Sequence, residues 1–76
     1  MSRTTFSGPV KSDNGFLFPT TTSAILGDAA NVINTQNKDA GVAVFNTTDN
    51  LIYVAVGANA TSDWQPSDGG TAITPA

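Results

Sequence analysis

The stretch from Gly41 to Gly57, GVAVFNTTDNLIYVAVG, limits what this chain can fold into more than any other. It holds two apolar runs, Val42–Phe45 and Leu51–Val56, separated by Asn46-Thr47-Thr48-Asp49-Asn50. β-Branched and aromatic side chains dominate both runs, and these fit the pleated surface of a strand. The residues between them form turns, because short Asn and Asp side chains bond nearby backbone and tolerate left-handed φ. The spacing predicts a β-hairpin with a loop of about three to five residues. An antiparallel sheet with one solvated face alternates apolar with polar residues. Here the apolar runs are nearly continuous, so both faces of the hairpin are expected to be covered.

Length decides what could cover them. The chain has 76 residues, enough for one domain. A domain this short buries only about 60% of the surface its unfolded chain exposes. Small domains offset this with disulfides, a metal or oligomerisation. Cysteine and histidine are both absent, which removes disulfides and the usual zinc ligands. Self-association, or docking on a larger body, is what remains. No cofactor is expected.

Eleven Thr, seven Asn and six Ser, with no Glu, leave few strong helix formers. The composition reads as mostly β. The expected fold is a small antiparallel sheet or sandwich built around the 41–57 hairpin, with residues 15–76 as a single domain and residues 1–14 as an extended arm. Net charge is −3, and all six acids are Asp. That balance argues against nucleic acid as a partner, since phosphates are neutralised by clustered Lys and Arg. No run approaches the ~20 apolar residues of a membrane span, and no apolar core of signal-peptide length follows Met1. The expectation is a soluble chain that binds no membrane and is made without an export signal.

The arm carries Arg3 and Lys11, two of the three basic residues, and two isolated apolar anchors, Phe6 and Val10. Arg3, Phe6, Val10 and Lys11 are therefore candidate docking residues. Phe16-Leu17-Phe18 forms a second apolar cluster, expected to be ordinary core, and Pro19 confines any strand there to an edge or ends it. Thr20–Leu26 fits a strand, and Gly27-Asp28 breaks it. Val32–Thr35 reads as a short strand, with a helical turn as the alternative, and Asn34–Ala40 as a polar loop. Trp64, the only Trp, is expected to close over the hairpin. Thr71–Thr74 fits a last short strand. The residues assigned to core or oligomer contact are Phe16, Phe18, Val42, Val44, Phe45, Ile52, Tyr53, Val54, Val56 and Trp64.

Little chemistry is available to these side chains. Without His or Cys, Ser–His–Asp and Cys–His sites cannot form. Asp28, Asp49 and Asp68 each neighbour Gly, Ala or Asn and read as turn residues. Gly69-Gly70 lacks the lysine of a phosphate loop. The expectation is a protein that is not an enzyme.

A longer pattern links these pieces: Val32-Ile33-Asn34-Thr35-Gln36-Asn37-Lys38, Gly41, Val44-Phe45-Asn46-Thr47-Thr48, Val54-Ala55-Val56-Gly57, Trp64 and Ala72-Ile73-Thr74-Pro75. It resembles small tailed-bacteriophage virion structural proteins, which carry an INT-x-NK…G…NTT…VA-x-G…W…ITP pattern. The opening Phe6–Ser12 and Asn14-Gly15-Phe16 resemble the first residues of short marine-phage structural proteins. The resemblance implies a component of the particle exterior and transfers no catalytic residue. The short length favours a capsid decoration (cement) protein over a receptor-binding fibre. Its partner would be the major capsid protein of the same phage, and its location the outer capsid surface after synthesis in the host cytoplasm. A homo-oligomer is implied, with a trimer as the natural arrangement. The alternative is a tail-fibre or baseplate-associated β module that recognises carbohydrate or another tail protein, with Tyr53, Trp64 and the Asn/Thr loops as contacts.

Overall fold

Four strands and two single-turn helices follow one another as β1 (Thr20–Thr21), α1 (Ser23–Leu26), α2 (Val32–Thr35), β2 (Ala43–Asn46), β3 (Leu51–Ala55) and β4 (Trp64–Pro66) in the computed structural model, which describes residues 15 and 17–76. The fold is mostly β. The 1–14 arm lies outside the described residues.

The hairpin forms as its sequence directs. Strand β2 pairs antiparallel with β3 through Ala43↔Val54, Val44↔Tyr53, Phe45↔Ile52 and Asn46↔Leu51. The loop is Thr47–Asn50. Asn46 Oδ1 accepts from the Thr48 N–H at 2.9 Å and Asp49 Oδ1 from the Leu51 N–H at 3.2 Å. Asn50 sits at φ 61°, the left-handed region that Asn enters more readily than most residues.

Strand β4 adds antiparallel to β3, and β1 adds parallel to β2, giving the order β1-β2-β3-β4. The sheet is therefore mixed and not purely antiparallel. A parallel neighbour needs a crossover connection of a dozen or more residues. Residues 22–42, read from sequence as strand, turn and loop, are that crossover. The Thr20–Leu26 strand stops after Thr21, because Thr22 caps a helical turn by accepting from the Ile25 N–H at 3.3 Å. Asn31 does the same for α2, accepting from the Ile33 N–H at 3.1 Å. Val32–Thr35 is thus the helical turn, not the strand. In both places a capping side chain outweighs the strand preference of the β-branched residues behind it.

Alternation along the strands separates two faces. Val44, Tyr53, Ala55 and Trp64 point inward and are buried with Leu26, while Ile33, Val42, Leu51 and Ile73 pack against them. Beyond β4, the expected Thr71–Thr74 strand is reduced to one bridge: the Trp64 N–H donates to Ile73 O at 2.8 Å and the Ile73 N–H to Trp64 O at 2.9 Å. The chain then docks under the crossover. Pro75 is buried, and the Ala76 N–H donates to Gly27 O at 3.0 Å.

Candidate interaction surface

The polar residues that matter most to the fold meet beneath the inner face of the sheet. Asn34, on α2, is buried and uses its whole amide. Its Nδ2 donates to Leu26 O at 3.0 Å and Asp28 O at 2.9 Å. Its Oδ1 accepts from Lys38 Nζ at 2.9 Å and Trp64 Nε1 at 2.8 Å. Lys38 is also buried. It donates to Ser62 O at 2.6 Å and places its ammonium 5.1 Å from the centre of the Trp64 ring. Burial lowers the Lys38 pKa from its ordinary value, and the charge of Asp63 opposes that shift. One amide thus ties the crossover to β4, and a cation caps the aromatic ring. Both Asn34 and Lys38 belong to a stretch whose polarity reads as a loop. The one signal pointing to them was the resemblance pattern, which contains both.

The inner ends of the hairpin are tied in the same way. Asn46 is fully buried and donates through Nδ2 to Ser23 Oγ at 2.9 Å. Tyr53 donates its hydroxyl to Asp49 Oδ2 at 2.5 Å. That bond, together with burial and the charges of Asp49 and Asp68, pushes its pKa up to about 12. Asp28, Asp49 and Asp68 each accept from the backbone N–H two residues on, at 3.0, 3.2 and 2.8 Å. All three carboxylates are engaged in shaping turns.

The residues assigned from sequence to core or oligomer contact divide between the two faces. Val44, Tyr53 and Trp64 form the core, and Val42 packs against it. Phe45, Ile52 and Val54 are half-buried on the opposite, outer face and take no part in that cluster. Val56, just beyond β3, is 57% exposed. Among the described residues, the buried core therefore lies on one face of the hairpin. Leu17 and Phe18, expected as core, are 96% and 37% exposed. They precede the two-residue edge strand β1. Phe16, Arg3, Phe6, Val10 and Lys11 lie outside the described residues.

Trp64 is 0% exposed and Tyr53 is buried, so neither presents a ring on which a sugar could stack. Among the described residues there is no concave pocket, no cluster of three candidate metal ligands, and no helix long and apolar enough to cross a membrane. The large apolar side chains left outside the core are the exposed Leu17, Phe18, Ile25, Val32 and Val56 and, on the outer face of the sheet, the half-buried Phe45, Ile52 and Val54.

No protein-family model, no curated protein and no solved structure matches this chain.

Proposed function

We propose that this chain is a non-enzymatic virion structural protein of a tailed phage, a capsid decoration (cement) protein that binds the outside of the assembled head and stabilises it. The observation that carries the reading is a set of apolar side chains left outside the core, Phe45, Ile52 and Val54, on a small β module whose aromatic residues Tyr53 and Trp64 are spent on the core. Such a module is suited to adhesion, because a partner that covers its outer apolar side chains removes them from water. The resemblance of the 32–75 pattern to phage virion proteins supplies the class. Asn34, Lys38, Trp64, Ile73 and Pro75 of that pattern are residues that close the fold.

The partner in this reading is the major capsid protein of the same phage. The chain acts as a homo-oligomer, with a trimer at local three-fold positions of the shell. Arg3, Phe6, Val10 and Lys11 are assigned to the shell contact on the sequence argument alone. Quantitative mass spectrometry of purified particles tests the proposal. Copies in a ratio fixed by capsid symmetry, retained by tailless heads, are the expected result. Copies found only with detached tails move the protein to the fibre or baseplate class, and absence from particles overturns the virion assignment.

A further inference from the structure

A domain this small, with no cysteine and no metal-binding cluster among its described residues, lacks the usual staples of its size class. The site that closes the fold holds reactive groups of another kind. Lys38, 7% exposed, is the one amine among the described side chains, and Asn34, 1% exposed, presents a carboxamide to it. Lys38 Nζ lies 2.9 Å from Asn34 Oδ1, the oxygen on the carbon an amine attacks. Groups held this close avoid the entropic cost of being brought together. The same oxygen accepts from Trp64 Nε1 at 2.8 Å. A fixed N–H aimed at a carbonyl oxygen stabilises the negative charge that builds there during attack. Burial disfavours the Lys38 ammonium relative to the neutral amine, which is the nucleophile, against the opposing charge of Asp63.

We propose that Asn34 and Lys38 join through an intramolecular amide bond, formed by the folded chain itself without an enzyme or cofactor. Nζ moves from the carbonyl oxygen to the face of the adjoining carbon, and the Nζ–Cγ bond forms. The oxygen of the resulting tetrahedral centre stays on Trp64 Nε1. The Cγ–Nδ2 bond then breaks. Two of the three protons of the Lys38 ammonium end on Nδ2, so the positive charge leaves as ammonium and no other reagent is consumed. Nδ2 already donates to Leu26 O at 3.0 Å and Asp28 O at 2.9 Å, two acceptors placed to hold the departing nitrogen as it takes on charge. Ser62 O, 2.6 Å from Nζ, is placed to accept from the N–H of the new amide. The product is a short side-chain ring that ties α2 covalently to the segment following it, beside Trp64. The inference is independent of the particle and of self-association.

Intact-mass spectrometry of the full chain, freshly purified and after prolonged incubation in the folded state, tests it. The expected result is a species lighter than the sequence mass by one ammonia, which accumulates in the folded chain and not in urea. Trypsin should leave residues 12–76 of that species, once denatured, as one peptide, because the linked Lys38 is no longer a cleavage site. Fragmentation should place the link between Asn34 and Lys38. Closure of Asn34 onto its own backbone also releases ammonia, and Lys38→Met separates the two, since the amide link needs the amine. The loss is expected to vanish in that variant. If Lys38→Met does not fold, digestion of the wild type carries the test alone, because backbone closure leaves Lys38 open to trypsin. A wild type that keeps its full mass and is cut after Lys38 throughout overturns the inference. So does an ammonia loss that persists in folded Lys38→Met or leaves Lys38 cleavable.

Discussion

Replacing Asn34 with Ala tests the account of the fold at its most connected point. The side chain makes four hydrogen bonds in a buried setting. Removing it leaves the Trp64 indole N–H with no acceptor. Lys38 keeps only Ser62 O, and the carbonyls of Leu26 and Asp28 each lose a donor. A buried polar group left unsatisfied costs about 1–3 kcal/mol. Counting the indole in full and the other three in part gives roughly 3–5 kcal/mol. Typical total stabilities are about 5–15 kcal/mol, with small domains at the low end. With a urea dependence of about 1 kcal/mol per molar for so short a chain, the midpoint should fall by about 3–5 M. Trp64, the only Trp, lies inside the network and reports its loss directly through fluorescence during urea titration. Asn34→Asp is a useful companion. It keeps an acceptor for Lys38 and Trp64 but turns a carboxylate toward two carbonyl oxygens, so its loss should be smaller than that of Ala. An Asn34→Ala protein within about 1 kcal/mol of wild type would refute the claim that this amide holds the crossover to the sheet.

Four further outcomes follow from the same structure. Trp64→Ala should cost about 3–5 kcal/mol, as expected for a fully buried large aromatic, and calorimetry would read it as a large drop in Tm. Thr21→Val should raise stability by about 1 kcal/mol in urea titration, because Thr21 Oγ1 is buried without a partner and Val keeps its shape. Gly41→Ala should cost about 1 kcal/mol through backbone strain alone, since Gly41 sits at φ 92° with open space where a Cβ would go. Tyr53 holds its proton up to about 12 when folded, against 10.0 when unfolded. Its contribution is therefore constant below pH 10 and is lost as pH rises toward 12. Lys38, whose pKa is lowered, acts in the opposite sense, its burial penalty easing as pH climbs toward 10.5. Urea midpoints measured across this range should show Tyr53→Phe flattening the alkaline decline.

The hairpin was legible because its two runs and its turn residues agree at every level. β-Branched and aromatic residues hold the middle of Ala43–Asn46 and Leu51–Ala55, and Asp49 and Asn50 close the loop. The burial of Trp64 was legible too, from sheer size. The crossover was not. Ser23–Leu26 and Val32–Thr35 are four residues each, too short to show a helical period, and the β-branched residues of Val32–Thr35 and of Thr20–Thr22 before the first favour strands. What sets them is a hydrogen bond from a single capping residue, Thr22 or Asn31. The parallel pairing of β1 rests on two residues and could not be read from pattern. Asn34 and Lys38 were hidden for a related reason, since hydropathy places them at the surface and only three-dimensional closure over Trp64 buries them. The one-sidedness of the hairpin was concealed by its outer residues, which are as apolar as its inner ones. Phe45, Ile52 and Val54 are accordingly left half-buried, outside the core cluster.

The central claim is that this small β module completes itself against other molecules on the exterior of a phage head. A cryo-electron microscopy density map of the intact particle, with local symmetry averaging, tests that claim most directly. The account predicts the four-stranded module on the outer capsid surface at symmetry-related positions, with Phe45, Ile52 and Val54 covered by neighbouring density. Heads whose outer surface carries no such density, or modules whose Phe45, Ile52 and Val54 face open solvent, would contradict it.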